Sequence, residues 1–162
     1  MTVALIGPPA AGKSRIGRRL AKRLRLPFVD TDTVVATRHG DISRIFAEHG
    51  EPVFRHWERE AVVEALEQEA VVSLGGGAVL DERTRDDLAS CRVVLLEVTA
   101  EAVAQRIQDD KRPLVTDLDS WRALVESRRE LYESLADYRC DTSERSIDII
   151  VSEIATWLKE SR

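Results

Sequence analysis

Residues 7–14 read Gly-Pro-Pro-Ala-Ala-Gly-Lys-Ser, which fits the pattern G-x-x-x-x-G-K-[ST]. Each part of that pattern has a chemical use. The glycines let backbone N–H groups turn inward and approach phosphate oxygens, and a helix starting near Lys13 presents its positive dipole end to the anion. Lys13 can reach the β- and γ-phosphates, and the Ser14 hydroxyl can ligate Mg²⁺. The loop therefore points to a nucleoside triphosphate, ATP being the expected one, and leaves the phosphoryl acceptor open.

Four other groups could supply the acceptor side. Asp30-Thr31-Asp32 places two carboxylates at i and i+2. One could hold Mg²⁺ through water while the other takes a proton from an acceptor hydroxyl. Equally, one could cap the helix that follows. In Phe54-Arg55-His56-Trp57-Glu58, Glu58 lies three residues after Arg55, close enough on a helix to fix one rotamer of the guanidinium. That pair could be a surface salt bridge, or an oriented guanidinium for a substrate carboxylate beside the aromatic walls Phe46 and Phe54. Gly75-Gly76-Gly77 wastes conformational entropy unless backbone must approach something closely. Asp109-Asp110-Lys111-Arg112-Pro113-Leu114 reads as a polar loop whose Arg112 could enter the site on closure, excluding water.

The elements that must position these groups follow from hydrophobic periodicity. Short apolar runs predict strands over Thr2–Ile6, Pro27–Asp30, Val71–Leu74, Val93–Val98 and, more weakly, Tyr138–Thr142. Helical patterns cover Lys13–Leu26, Thr33–His39, Ile42–His49, Pro52–Glu69, Glu82–Ala89, Ala100–Gln108, Ser120–Leu135 and Ser146–Lys159, the last with Ser146 as N-cap. Asp109–Leu118 is expected to be polar and strand-free. Strands alternating with helices predict an α/β fold, a parallel sheet covered on both faces. In such sheets ligands sit beyond the carboxyl ends of the strands, where the loop at 7–14, the Asp pair and the glycine triplet all fall.

Length and composition set the remaining bounds. The chain has 162 residues, the size of one domain, and 43% of them are hydrophobic, enough for a sizeable core. Net charge is −5, which argues against nucleic acid or an anionic membrane as partner. Of the 24 basic residues 20 are arginine, a side chain suited to bidentate carboxylate and phosphate recognition. No apolar run approaches the ~18 residues of a membrane span, and Met1–Gly7 lacks the features of a signal peptide. Cys91 and Cys140 have no metal-binding spacing and read as buried free thiols of a cytoplasmic protein. His39, His49 and His56 read as solvated helix-surface residues.

Taken together, GPPAAGKS at 7–14, DTD at 30–32, FAEHGEPVFRHWE at 46–58, LGGG at 74–77, KRPL at 111–114 and RRELY at 128–132 resemble the shikimate kinases, within the nucleoside monophosphate kinase-like P-loop proteins. The resemblance covers nearly the whole chain. It implies a single three-layer P-loop kinase domain over 1–162, with a five-stranded parallel sheet in order 2-3-1-4-5. It also implies a substrate-binding helical region over about 31–60 and a lid over about 109–118. The implied reaction is transfer of the ATP γ-phosphoryl to the 3-hydroxyl of shikimate, with Mg²⁺, by a cytoplasmic monomer. Lys13, Asp32 and Arg112 would be catalytic. Ala10, Ala11, Gly12, Lys13, Ser14, Arg15, Arg106, Arg112 and Arg145 would bind ATP. Ser14, and Asp30 through water, would hold the metal. Asp32, Phe46, Phe54, Arg55, Glu58, Gly76, Gly77 and Arg128 would bind shikimate.

The chain also departs from the family pattern. Glu130 stands where the family often has proline, so Arg128 and Arg129 compete for the second carboxylate-binding role. The Arg106–Arg112 spacing is one residue short, and Ile147 replaces a proline that often flanks the adenine. Two other readings fit parts of the set: a sugar acid kinase of gluconate type, and a nucleotide-binding regulatory domain without catalysis. Retention of Lys13, Asp32 and Arg112 weighs against the second.

Overall fold

The computed structural model describes residues 1–110 and 117–161. Strands β1 (Val3–Ile6), β2 (Phe28–Asp30), β3 (Val71–Ser73), β4 (Arg92–Glu97) and β5 (Tyr138–Asp141) form one sheet in order β2-β3-β1-β4-β5. Every pairing is parallel, so the order and direction match the expectation. The register matters for function. Asp30 lies opposite Ser73, and Ser73 opposite Leu5. One row of the sheet thus launches the phosphate loop, the Asp pair and the glycine triplet, although these are far apart in sequence.

The central strands β1, β3 and β4 are buried on both sides, which explains their apolar runs, while the edge strands β2 and β5 are partly exposed. Val3 and Leu5 of β1, with Val94 and Leu96 of β4, pack against α1 (Lys13–Leu24) and α8 (Ile147–Glu160). Ala4, Ile6, Val93 and Leu95 face the other way, toward α4 (Glu51–Leu66), α5 (Glu82–Leu88) and α7 (Leu118–Leu135). Each fully buried aliphatic side chain contributes roughly 1.5–3 kcal/mol, so the two cores, not the loops, hold the row in place. The remaining helices are α2 (Thr31–His39), α3 (Ile42–His49) and α6 (Ala100–Asp110). Helices α2 and α3 pack on α4 through Val35, Ile45, Phe54 and Ala61.

Several boundaries differ from expectation for local reasons. Helix α2 starts at Thr31 rather than Thr33, because the Asp30 carboxylate accepts from the Asp32 and Thr33 N–H groups. Helix α4 starts at Glu51, with proline in its first turn. Helix α1 stops at Leu24, where Arg25 turns left-handed at φ 58°. A 3₁₀ turn over Ala78–Leu80 follows the glycine triplet and was not anticipated. Helix α6 extends through Asp110 and α7 begins at Leu118, so both ends of the expected 109–118 loop are helical; its centre lies outside the described residues.

Cys91 and Cys140 are buried free thiols. The histidines are exposed, but they are not merely solvated. His39 stacks on Trp57 with ring centroids 3.8 Å apart, and His49 meets the same indole edge-on at 5.4 Å. Both histidines end their helices, so α2 and α3 converge on one side chain of α4. Among the described residues, no helix is long and apolar enough to cross a membrane.

Candidate active site

The phosphate loop begins at Gly7 with φ 144°, where an added Cβ would strike the backbone carbonyl of Leu96. Only glycine lets the loop leave β1 this close to β4. Ala10 and Gly12 are both left-handed, at φ 69° and 87°. The Lys13 ammonium donates to the Gly7 and Pro8 carbonyls at 2.8 and 2.9 Å. Burial lowers its pKa to about 8, against the pull of Asp32 and Asp30.

Asp30 caps the helix that follows it and also meets Ser14. Its Oδ1 accepts from the Asp32 and Thr33 N–H groups at 3.0 and 3.2 Å and caps α2. Its Oδ2 accepts from the Ser14 hydroxyl. Thr31, between the two aspartates, is wholly buried; its hydroxyl accepts from Gly75 N–H at 3.1 Å and donates to the Ser73 carbonyl at 3.4 Å. This hydroxyl ties the Asp turn to the glycine triplet. Nothing in the sequence singled it out, because its partners are 42 and 44 residues away.

Asp32 is half-buried, and its pKa is raised by burial and by Asp30, with Lys13 and Arg55 opposing. Arg55 donates to Glu58 at 2.8 Å and to Glu51 at 3.4 Å. The Glu58 side chain is 4% exposed, so this is no surface pair: Glu58 serves as a buried anchor for the guanidinium. Burial raises the Glu58 pKa and Arg55 opposes the rise. The rings of Phe46 and Phe54 lie 4.8 Å apart beside this pair, Phe54 buried and Phe46 exposed.

The glycine triplet is explained by its neighbours more than by its own flexibility. An added Cβ at Gly75 would lie 2.6 Å from Asp32 Oδ1 and 2.9 Å from Glu58 Oε2. At Gly77 it would lie 2.5 Å from Arg55 Nη2. At Gly76 it would meet nothing nearer than 3.5 Å. Gly75 was not among the expected site residues, yet it is as crowded as Gly77. On α7, Arg128 turns inward and its Nη1 is one of the two atoms at 3.5 Å from that Gly76 position. Arg129 is exposed and pairs with Glu126 at 3.0 Å, so Arg128 is the arginine that faces the site.

Two cavities flank the phosphate loop. One, of about 430 Å³, is lined by Lys13, Ser14, Asp30, Asp32, Phe46, Phe54, Arg55, Glu58, Gly76, Gly77 and Arg128. The other, of about 940 Å³, is lined by Ala10, Ala11, Gly12, Arg15, Arg106, Arg145 and Ile147. Arg106 donates to the carbonyls of Ala10 at 2.5 Å and Thr142 at 2.8 Å. Arg145 donates to Glu153 at 2.7 Å and to the Asp141 carbonyl at 2.8 Å. The sequence-nominated residues thus divide into an acceptor-side and a nucleotide-side set, with Ala10, Gly12 and Arg15 shared. Arg112 lies outside the described residues.

Comparison with known proteins gives the family. The shikimate kinase family model matches residues 9–159. The chain is 42% identical to the shikimate kinase of Corynebacterium efficiens, covering 98% of this chain and 96% of that protein. Identity to the Thermobifida fusca shikimate kinase is 48%, covering 95% and 92%. The solved structure of shikimate kinase from Acinetobacter baumannii in complex with shikimate superposes with a TM-score of 0.91 at 30% identity, covering 99% of this chain and 94% of that one. With likeness in sequence and structure along nearly its entire length, the chain belongs to the shikimate kinase family, ATP-dependent kinases that phosphorylate shikimate.

Proposed function

We propose that the chain, acting as one kinase domain in the cytoplasm, transfers the γ-phosphoryl of ATP to the 3-hydroxyl of shikimate, with donor and acceptor held on opposite sides of the phosphate loop. The observation that carries this reading is the convergence of Asp32, Arg55 and Arg128 on one cavity against Lys13 and Ser14. Shikimate is a carboxylate with ring hydroxyls. Arg55, oriented by Glu58, and Arg128 bind the carboxylate, and Phe46 and Phe54 wall the ring. Gly76 and Gly77 leave backbone accessible beside it. Asp32 accepts the proton of the attacking hydroxyl, and its raised pKa brings it closer to the range a base needs. Ala10 to Arg15 cradle the triphosphate, with Arg106 and Arg145 at the base; Arg112 completes the set on the phosphates.

The residues fit Mg²⁺. Ser14 Oγ and Asp30 Oδ2 are adjacent hard oxygen donors, and Mg²⁺ takes few protein ligands and keeps its waters. Ser14 would hold the ion directly and Asp30 through water; when bound, it neutralises charge on the β- and γ-phosphates. Catalysis then rests on positioning and charge stabilisation. The test is Asp32→Asn in an assay of shikimate-dependent ADP release. A fall in kcat of roughly 10²–10⁴ is expected if Asp32 is the base; near-wild-type turnover removes it from that role.

A further inference from the structure

Helix α7 carries Trp121, Val125, Arg128 and Tyr132 at i, i+4, i+7 and i+11, one stripe of a helix. The two ends of the stripe hold aromatic donors that are almost wholly buried, Trp121 at 5% exposure and Tyr132 at 3%. The Trp121 indole N–H donates to the Pro9 carbonyl at 2.8 Å. The Tyr132 hydroxyl donates to the Gly76 carbonyl at 2.6 Å. One bond therefore ends in the phosphate loop and the other in the glycine triplet. Eleven residues of helix set the two Cα atoms about 16 Å apart along a rigid rod, and the two side chains converge on neighbouring segments, Pro9 Cδ lying 3.5 Å from where a Cβ at Gly76 would stand.

Packing alone does not account for these two side chains. A buried N–H or O–H is costly unless paired, and an apolar ring would fill the same space. What the polar atoms add is a fixed location for two carbonyls. Pro9 precedes Ala10, which is left-handed at φ 69° without being glycine. Such a conformation persists only where its surroundings over-determine it. Trp121 holds the Pro9 carbonyl, and Arg106 from α6 holds the next one, at Ala10. On the acceptor side, Gly76 sits between Gly75, pressed against Asp32 and Glu58, and Gly77, pressed against Arg55. Moving the Gly76 carbonyl moves the floor under all three.

We propose that Trp121 and Tyr132 are positioning residues which, through α7, hold the phosphate loop and the acceptor-side glycine triplet at a set separation. The proposal rests on the functional reading above. In-line transfer depends on that separation, since misplacement by about 1 Å costs on the order of 10²-fold in rate.

The test uses Trp121→Phe, Tyr132→Phe and the double variant, each keeping an aromatic ring. KM for ATP, KM for shikimate, kcat and thermal midpoint are measured for each. Tyr132→Phe is expected to raise KM for shikimate about 5- to 10-fold, the worth of about one buried hydrogen bond, with KM for ATP within about twofold. Trp121→Phe is expected to do the reverse. Both lower kcat, and because releasing either end frees the rod, the double variant loses little more kcat than the worse single variant. A merely structural role predicts that both constants drift together with the thermal midpoint, or stay unchanged, and either result overturns the proposal. Should Trp121→Phe fail to fold, an unchanged KM for shikimate in Tyr132→Phe is sufficient to overturn it. Wild type assayed alongside separates the two ideas: no shikimate-dependent ADP release sinks the functional reading, whereas a normal wild type with unsplit variants sinks the anchors alone.

Discussion

Replacing Gly77 with alanine isolates the Arg55 guanidinium from the rest of the site. The backbone at Gly77, φ −99° and ψ 2°, is open to any residue, so the substitution adds no dihedral strain. The new Cβ would lie 2.5, 2.6 and 2.8 Å from Arg55 Nη2, Nη1 and Cζ, where ordinary contact requires about 3.5 Å. The guanidinium, as the end of a flexible side chain, yields by roughly 1 Å. That shift spoils its bond to Glu58 and its aim at a substrate carboxylate. A charge-assisted hydrogen bond is worth about 1.5–3 kcal/mol, so KM for shikimate is expected to rise roughly 10- to 150-fold. Buried Glu58 then takes up a proton more readily, which keeps the stability loss modest. The matched control is Gly76→Ala, whose Cβ meets only ordinary contacts. Both variants are assayed by ADP release at saturating ATP with shikimate varied. A Gly77→Ala KM within twofold of wild type, or equal effects at the two positions, refutes the reasoning.

Thr31→Val keeps the shape but leaves the Gly75 N–H and Ser73 carbonyl without their hydroxyl partner, so urea denaturation is expected to show a loss of about 1–3 kcal/mol; no loss would mean that the bridge contributes nothing. Gly7→Ala sets a methyl against the Leu96 backbone carbonyl, which cannot step aside. Its unfolding midpoint should fall further than that of Gly76→Ala, and a smaller fall would contradict the contact. Cys140 is pushed up to about 12 by burial and by Glu153, and Cys91 is raised by burial and Asp87. A disulfide reagent at pH 8 should label both slowly in native protein and quickly in urea; fast native labelling would count against burial. The sign for stability follows. Above pH about 9 the unfolded thiols ionise while the folded ones stay protonated, so their contribution falls as pH rises, which pH-dependent melts of a Cys140→Ala variant would report by a flatter slope.

The parts legible in the sequence were those set by local chemistry. The phosphate loop is read from glycine spacing between an apolar strand and an amphipathic helix, and the strands from apolar runs that need burial on both faces. The Asp30–Asp32 pair, Arg55 and Glu58 could be nominated because each has a short-range logic. What stayed hidden depends on partners distant in sequence. Thr31 is an ordinary polar residue until Gly75 and Ser73 arrive beside it. Gly75 and Gly77 exclude side chains because of Asp32, Glu58 and Arg55, and no property of the triplet itself tells them from Gly76. With Glu130 in place of a proline, Arg128 and Arg129 stayed in competition; the inward turn of Arg128 and the exposed pairing of Arg129 with Glu126 decide between them. Trp57 gave no local sign that it would receive two histidines from two other helices.

The acceptor cavity carries cations Lys13, Arg15, Arg55 and Arg128 interleaved with the carboxylates of Asp30, Asp32 and Glu58. Its charges nearly balance, which bears on what happens after phosphoryl transfer. A strongly electropositive bowl would take in any small anion and would hold a product that has just gained a phosphate most tightly of all. A near-neutral bowl selects by where its charges stand instead. On the proposed roles it would capture a monoanion through directed contacts at Arg55 and Arg128, with the carboxylates of Asp30 and Asp32 lining the same cavity as the new negative charge. The same Asp30 and Asp32 that the proposed mechanism uses in the forward step would thereby oppose retention of the phosphate ester, so that the arrangement proposed to make the product would also favour its departure.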